Sequence, residues 1–264
     1  YRKRDFLVKG LQLNAFLSHT WDHSLTVDTA YRKYDWNGDY ITSSRNEITG
    51  RSRSMRHYKR PLTTARVNLD YNLNAGHGIN FNYLLSRVGN DRYDDVDTEF
   101  ESSEDMLAKH ILGLSYQQTL FGGRMENLFF VKDYVNHLTV RQTDLYWLTG
   151  SEEAKGTSTK HHWGGGLASR YTLFDALSLK ASYERSVRLP LARELLGNGT
   201  TIYANVALQP ESSHNVNGGF FGTVHPGAGH TLFYEVNGFM RRVDNYIKAV
   251  VSEKDGTMQY EKVP

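Results

Sequence analysis

The sequence has no cysteine and no long apolar run, and each absence limits what the chain can be. Without cysteine there are no disulfides, no zinc-thiolate sites and no thiol catalysis. No stretch approaches the roughly 18 apolar residues that a membrane-spanning helix requires. A closed β-barrel is still allowed, because it satisfies its backbone groups internally and carries apolar side chains only at alternate positions.

An excess of one charge is also lacking, since basic and acidic residues nearly balance and the formal net charge is only +2. This balance predicts no nucleic-acid partner. The catalytic patterns H-E-x-x-H and G-x-S-x-G are missing, so we expect neither an enzyme nor a cofactor. Gly164-Gly-Gly166 enters a strand instead of leading from one into a helix, which argues against a phosphate loop. In a barrel these glycines would let the backbone pass close to bulky neighbours.

Alternation of apolar and polar residues is what the sequence does have. In the clearest case, Val67, Leu69, Tyr71 and Leu73 alternate with Arg66, Asn68, Asp70 and Asn72. The chain then turns at residues 74–77 and returns with the same period, which predicts a hairpin with one apolar face. In a soluble sandwich the polar row would face bulk water, whereas in a wide barrel it would line a filled lumen.

Tight turns and long loops are predicted to alternate along the whole chain. We place the tight turns near residues 22, 75, 122, 175 and 227. The first hairpin would run from Leu7 to Thr20, turn at Trp21-Asp-His23 and return from Leu25 to Tyr34. A last pair, Tyr246 to Ser252 and Met258 to Val263, is predicted to be a hairpin with a longer loop. This order places all long loops at one end of the strands, as in outer-membrane barrels.

The four tryptophans fall near strand ends in this layout. Trp21 is placed beside a tight turn, and Trp36, Trp147 and Trp163 are placed where strands meet long loops. Those are the two depths at which interfacial aromatic residues are expected in a membrane barrel.

One long loop and its two flanking strands carry a motif. Its positions are Arg188, Pro190, Glu194, Leu195, Asn205, Leu208, Pro210, Glu211, Ser213, Asn215 and Gly218 or Gly219. The order R-x-P-x-x-x-E-L, then N-x-x-L-x-P-E-x-S-x-N, then G resembles a barrel pattern of TonB-dependent outer-membrane receptors. One departure is Val206-Ala207, where that family usually has Pro-Asp or a similar pair. The alternative is that these residues only shape a loop, with Arg188 and Glu194 as an ion pair.

The resemblance implies an all-β fold, an antiparallel up-and-down transmembrane β-barrel in the outer membrane of a Gram-negative bacterium. Such barrels have about 22 strands around a plug domain, of which this chain would supply roughly ten to twelve. The function implied is TonB-dependent uptake of a scarce nutrient, namely a ferric siderophore, haem, cobalamin or a glycan. The partners implied are outer-membrane lipid, lipopolysaccharide, the plug, TonB in the periplasm and the nutrient.

Four polar residues of the alternating strands are predicted to face the lumen and hold the plug, namely Arg66, Asp70, Lys180 and Glu184. The chain starts without a signal peptide and ends without a finishing signal, so we expect residues 1–264 to be a segment of a longer protein without the plug or TonB box. By parity with the tight turns, the loop from Arg188 to Glu211 is placed outside the cell. A passive porin or adhesin barrel, or a soluble β-rich carbohydrate-binding protein, remains open as an alternative.

Two predicted loops carry opposite charges. The basic one holds Arg45, Arg51, Arg53, Arg56, Lys59 and Arg60 against Glu47. The acidic one holds Asp91, Asp94, Asp95, Asp97, Glu99, Glu101, Glu104 and Asp105 against Arg92. The first could contact lipopolysaccharide or an anionic chelate and the second could bind calcium, or the two could neutralise each other in solvent. His161-His162 would point to opposite faces of a strand, so no metal site is predicted there.

Overall fold

The computed structural model describes residues 2–28, 32–34, 37–43, 54–96, 102–141, 156–197, 202–227, 229–251 and 258–263. Nearly all of these residues lie in strands, which confirms the predicted all-β fold. The described residues contain no helix with the length and hydrophobicity needed to cross a membrane.

The strands vary from two residues to 21 residues in length. In chain order they are β1 (Arg2–Lys3), β2 (Leu11–Asp28), β3 (Arg32–Tyr34), β4 (Tyr40–Ser43), β5 (Ser54–Asn74), β6 (His77–Asp94), β7 (Ser103–Leu120), β8 (Met125–Val140), β9 (Gly156–Phe174), β10 (Leu177–Arg188), β11 (Ile202–Tyr203), β12 (Glu211–Gly227), β13 (His230–Asp244), β14 (Tyr246–Val251) and β15 (Met258–Val263). A short helix, α1 (Ala192–Leu196), lies between β10 and β11.

Ten strands form one antiparallel sheet in the order β1-β2-β5-β6-β7-β8-β9-β10-β12-β13. The chain runs up and down through this order, and β1 and β13 are the free edges of an unclosed sheet. Tight turns join β5 to β6, β7 to β8, β9 to β10 and β12 to β13, and the longer connections leave from the other end of the strands. These positions confirm the predicted partial barrel and the predicted turns near 75, 122, 175 and 227.

The two faces of the sheet follow from the period of two. Asn68 pairs with Asn82 and Asp70 with Asn80 on one face, which we call the inner face. Leu69 lies opposite Phe81 on the other, outer face. A slip of one residue would exchange the two faces, so the hydrophobic pattern fixes the register.

The first predicted hairpin is wrong. β2 runs from Leu11 to Asp28 without a turn and pairs with β5 along its whole length. Trp21-Asp-His23 lies inside this strand, where Asp22 Oδ2 is 3.4 Å from Arg60 Nε. The polar residues that resemble a turn are instead paired with the neighbouring strand.

The tryptophan positions also need correction. Trp21 lies opposite Pro61 within β2 and Trp163 opposite Asp133 within β9, so neither is at a strand end. Both are exposed on the outer face, at 61% and 57%. Each is roughly ten residues from the tight-turn end of its strand, about 30 Å at the usual rise per residue. Trp36 and Trp147 lie outside the described residues.

A second, three-stranded sheet combines two connections that are far apart in sequence. β11 pairs in parallel with β15, and β15 pairs antiparallel with β14. The predicted last hairpin is therefore present as β14 and β15, although it lies in this second sheet. We call α1, β11, β14, β15 and the described loop residues between 189 and 210 the cap.

The cap packs on the inner face of β7 and β8 near their long-connection end. The apolar cluster that joins them consists of Leu107, Leu138, Val140, Leu195, Leu196, Ala204, Leu208 and Ile247. Leu107 and Leu195 are almost completely buried, at 0% and 1% exposure. Because each fully buried leucine contributes about 1.5–3 kcal/mol, this cluster holds the cap against the wall.

Candidate functional site

Ion pairs cross the inner face of the sheet as a ladder. Arg170 Nη2 lies 2.7 Å from Glu126 Oε1, between neighbouring strands β9 and β8. Lys132 Nζ on β8 lies 3.6 Å from Glu184 Oε1 on β10. The predicted residues Lys180 and Glu184 are thus both on this face. Their side chains are roughly one-third exposed, so the pairs present charge without being fully buried.

Lys180 and Glu235 form a further ion pair of the ladder. This pair and the pair of Lys132 with Glu184 each reach across an intervening strand. Lys132 crosses β9 to reach Glu184, and Lys180 crosses β12 to pair with Glu235. In register, Lys132 lies opposite Gly164 and Lys180 lies opposite Gly219. The missing side chain on the intervening strand leaves the path between each cation and its carboxylate open.

Glycines of β9 also lie under aromatic rings of β8. A Cβ atom on Gly166 would be 2.9 Å from the Phe130 ring and 2.3 Å from the Tyr183 carbonyl oxygen. A Cβ atom on Gly164 would be 3.0 Å from the Tyr134 ring. The prediction that this glycine run lets bulky neighbours approach the backbone is confirmed.

Amides and a carboxylate form a second polar cluster on the inner face of β5 and β6. Asn80 Nδ2 donates to Asn68 Oδ1 at 2.8 Å, and Asn68 Nδ2 donates to Asp70 Oδ2 at 2.5 Å. Asn82 Nδ2 donates to Asn80 Oδ1 at 2.6 Å. Asp70 is therefore held by its own strand pair, whereas Arg66, further along β5 on the same face, is exposed.

A trough of about 570 Å³ lies beside the ladder in the half nearer the tight turns. Its polar lining includes Gln117, Arg170, Lys180, Asn217 and Asn237, and its apolar lining includes Leu128 and Phe239. Charged groups, amides and an aromatic ring converge on one space. Such a lining can hydrogen-bond either a polar small molecule or a folded segment of protein.

Arg188 holds both ends of the motif loop. Its Nη2 lies 2.6 Å from Glu194 Oε1 in α1, and its Nη1 lies 3.7 Å from Glu211 Oε1 at the start of β12. Glu194 and Glu211 are buried, at 2% and 7% exposure. We call Arg188, Glu194 and Glu211 the clasp. The ion pair suggested by the sequence between Arg188 and Glu194 is present.

The two carboxylates of the clasp also accept backbone hydrogen bonds. Glu194 Oε2 accepts from the Leu191 N–H at 2.7 Å, and Glu211 Oε1 accepts from the Ile247 N–H at 2.7 Å. Ile247 belongs to β14, so Glu211 connects the motif loop to the second part of the cap. A buried carboxylate requires such partners, because an unpaired charge in this position would be strongly unfavourable.

Asn205 connects the motif loop to β15. Its Nδ2 donates to the Tyr260 carbonyl oxygen at 2.9 Å, and its Oδ1 accepts from the Ala207 N–H at 3.2 Å. The Asn205 N–H donates to the Leu195 carbonyl oxygen at 2.9 Å. Leu195 and Leu208 of the motif lie in the apolar cluster, and Pro190 and Pro210 are also buried.

The end of the motif lies in the sheet itself. Ser213 Oγ is 2.8 Å from Ser186 Oγ on β10, and Asn215 Nδ2 donates to the same oxygen at 3.2 Å. The structure therefore brings the motif residues together as a unit that attaches the cap to the wall. Arg66 and Asp70 lie on β5, outside this unit.

The charged segments are only partly loops. Arg56 and Arg60 lie in β5 instead of the predicted basic loop, and Arg56 Nε is 3.7 Å from Asp94 Oδ2. This pair supports mutual neutralisation of the two segments. Within the described ranges no three His, Cys, Asp or Glu side chains are grouped so as to hold a metal ion. Outside the described residues lie Arg45, Glu47, Arg51, Arg53, Asp97, Glu99 and Glu101.

The histidines make local contacts. His161 Nδ1 is 3.1 Å from Asp133 Oδ2 on the outer face, while His162 lies on the inner side of β9, so the two rings do point apart. His57 links His23, 2.9 Å from its Nδ1, to Asp95, 2.8 Å from its Nε2.

Sequence reasoning found Lys180 and Glu184 but missed the other ladder residues, namely Glu126, Lys132, Arg170 and Glu235. The sequence does contain a signal for these residues, because each lies at a strand position that faces the same side of the sheet as the polar residues of the adjacent strands. Leu128 and Phe130 share the inner phase of β8, and their apolar side chains conceal the alternation there.

Comparison with known proteins agrees with this architecture. Residues 1–263 match the family model described as TonB dependent receptor-like, beta-barrel. The search of curated proteins found no match. Two solved structures share the fold at 12% sequence identity. The copper transporter OprC has a TM-score of 0.69, with 99% of this chain and 40% of that chain covered. The FrpB iron transporter from Neisseria meningitidis (F3-3 variant) has a TM-score of 0.55, with 98% and 37% covered. This chain therefore spans about 40% of the length of the first of them.

Proposed function

We propose that this chain, which belongs to the TonB-dependent receptor-like β-barrel family, is a segment of the barrel of an outer-membrane receptor that imports a scarce nutrient. The observation that carries the proposal is the inner face, where a ladder of ion pairs and a polar trough lie below a packed cap. A wall of this kind suits a lumen that holds a removable plug and receives a polar ligand from the capped end.

In this proposal the outer face contacts acyl chains and lipopolysaccharide in the outer membrane of a Gram-negative bacterium. The long connections form the extracellular surface, and the short turns face the periplasm. The rest of the barrel, a plug and the TonB-contacting segment are supplied by the remainder of the receptor. Arg66, Asp70, Lys180 and Glu184 face the plug, which exchanges hydrogen bonds with them when TonB pulls.

The nutrient is proposed to be one of the compounds too large or too dilute for passive entry, namely a ferric siderophore, haem, cobalamin or a glycan. OprC and FrpB are described as copper and iron transporters, so metal-bearing ligands are the first to test. The matching family is a receptor family and the two similar structures are transporters, so the proposed role is transport rather than catalysis.

The test is uptake by a strain that lacks the gene for the full-length receptor. Growth is measured on single sources of siderophore iron, haem iron, copper, cobalamin and glycans, before and after the gene is restored. We expect one source to support growth only with the gene and only when TonB is functional. Uptake that persists without TonB would identify a passive porin and refute the proposal.

A further inference from the structure

Two histidines and an aspartate form a chain of side-chain contacts on the outer face, near the long-connection end of β2 and β5. His23 Nε2 lies 2.9 Å from His57 Nδ1, and His57 Nε2 lies 2.8 Å from Asp95 Oδ2. His57 is only 9% exposed, whereas His23 and Asp95 are exposed to solvent. We call these three residues the histidine link. It joins β2 to β5 and to the first residue after β6.

His57 is the fixed member of the link. Its ring stacks on Tyr93, with the ring centroids 4.5 Å apart and the planes 4° apart. The Asp95 N–H also donates to the Met55 carbonyl oxygen at 3.0 Å, which ties the aspartate to β5. His23, on the exposed side, is therefore the member that can turn away into solvent.

The number of hydrogen atoms in the link follows from its acceptor groups. An ionised carboxylate only accepts, so His57 Nε2 carries the hydrogen that faces Asp95. One further hydrogen fits between the two rings, because either neutral His57 accepts it from His23 or charged His57 donates it to neutral His23. When both rings are charged, two N–H groups point at each other across 2.9 Å and the contact must break.

The other charged groups nearby do not remove this conflict. Lys59 lies opposite His23 in register, and Asp91 lies opposite Lys59 on the next strand. The lysine opposes a second positive charge beside it, and Asp95 already accepts from the other ring of the link. Two further charged residues, on the opposite face of the sheet, pair with each other, namely Arg56 and Asp94.

We propose that the histidine link is an acid-sensitive attachment of β2 to the barrel wall, closed at neutral pH and open when both rings are protonated. Imidazole side chains change charge between about pH 5 and 8, and the exposed ring of His23 takes its proton directly from solvent. The link therefore stabilises this end of β2 at neutral pH, and its contribution is lost as the pH falls. The inference goes beyond the proposed function and uses no step of transport.

The test is backbone hydrogen exchange of the full-length receptor in mild detergent, corrected for the intrinsic effect of pH on exchange. It is measured at about pH 8 and about pH 5, the limits of the imidazole range. We expect the protection of residues 23–28 to fall about tenfold at the lower pH, the size expected when a hydrogen bond to a charged group is lost. Protection of β8, which lies outside the link, should be the same at both pH values.

Three variants decide the assignment. In His23→Gln the side-chain amide can either donate to His57 or accept from it, so protection of the segment should be equal at both pH values. His57→Phe keeps a ring over Tyr93 but has no ring nitrogen, and protection should be low at both. His19→Gln is the matched control on the same strand, because His19 Nδ1 lies 2.9 Å from the Thr63 hydroxyl, which can accept or donate. This variant should respond like the native receptor. An equal fall in the native receptor and in His23→Gln, or no fall in the native receptor, would overturn the proposal.

Discussion

The guanidinium of Arg188 lies 2.6 Å from the carboxylate of Glu194, at the point where the chain leaves β10 and enters the cap. The carboxylate is almost completely buried, whereas the guanidinium is partly exposed. Arg188, the last residue of β10, therefore links the cap to the barrel wall, and its side chain also contacts solvent. Its loss would deprive two buried acids, Glu194 and Glu211, of the guanidinium that pairs with both.

Replacing Arg188 by alanine should loosen the cap without opening the sheet. We expect a loss of about 2–3 kcal/mol in local stability, because removing one partner of a buried pair leaves the other unpaired. Hydrogen exchange should accelerate by one to two orders of magnitude at residues 192–196 and 246–251 and stay unchanged in β5 and β6. Arg193→Ala, an exposed arginine on the same helix, is the control, and equal exchange in both variants would contradict the role of the clasp.

The ladder predicts a measurable effect on the plug of the full-length receptor. Lys180→Met removes the partner of Glu235 and the positive charge beside the trough. We expect faster hydrogen exchange in the plug, since fewer charged groups then hold it. Leu179→Met changes the adjacent residue on the outer face and should leave plug exchange at the native rate. Unchanged protection of the plug in Lys180→Met would refute its contact with the ladder.

Two glycines of the sheet should differ in how strongly replacement by alanine changes the stability of the fold. In Gly166→Ala the new methyl would collide with the Tyr183 carbonyl oxygen at 2.3 Å, so backbone must shift. Gly218→Ala meets nothing within 4 Å and should change stability by no more than about 1 kcal/mol. The folded fraction can be measured by heat-modifiable mobility on gels. Equal yields of folded protein from the two variants would show that the backbone near Gly166 can shift to admit the methyl group at little cost in free energy.

The assignment of faces can be tested with one arginine on either side of β7. Leu114 is on the outer face and half exposed, while its neighbour Ser115 lies on the inner face opposite Asn80. Leu114→Arg should cost about 2–4 kcal/mol of folding stability in lipid bilayers, the range for a lipid-facing arginine near the midplane. Ser115→Arg should cost less, because its charge reaches a polar lumen. The reverse order of the two stabilities would exchange the faces.

The direction of the barrel predicts which ends are reached from outside. A cysteine at Ala207, exposed in the cap, should react with a membrane-impermeant maleimide on intact cells expressing the full-length receptor. A cysteine at Arg124, exposed at a tight turn, should react only after the outer membrane is permeabilised. Labelling in the opposite pattern would place the tight turns at the cell surface.

How far the sequence predicted the fold depended on where each strand lies. The hairpin of β5 and β6 could be predicted because Leu69, Tyr71, Ile79 and Phe81 alternate with polar residues on the inner face. The failure at Trp21-Asp-His23 has a physical cause, since these turn-like polar residues lie inside a strand that pairs with β5 along its whole length. Asp22 pairs there with Arg60 on β5, a residue too distant along the chain for any local signal to predict the contact.

The candidate site could be predicted only in part. Lys180 and Glu184 were found because they alternate with apolar residues, whereas Lys132 was hidden by Phe130 in the same phase. The motif was recognisable from its order, but its role was not. That Glu211 would accept a hydrogen bond from Ile247 depends on a contact between segments 36 residues apart.

The parallel pairing of Ile202 with Met258 and of Tyr203 with Gln259 has a practical consequence for engineering. It joins β11 and β15 in one small sheet of the cap, although the barrel strands β12 and β13 lie between them in the sequence. A transplant of the β11 segment into another receptor, made to alter ligand choice, must therefore include the β15 segment. Without it, β11 would have an unpaired strand edge.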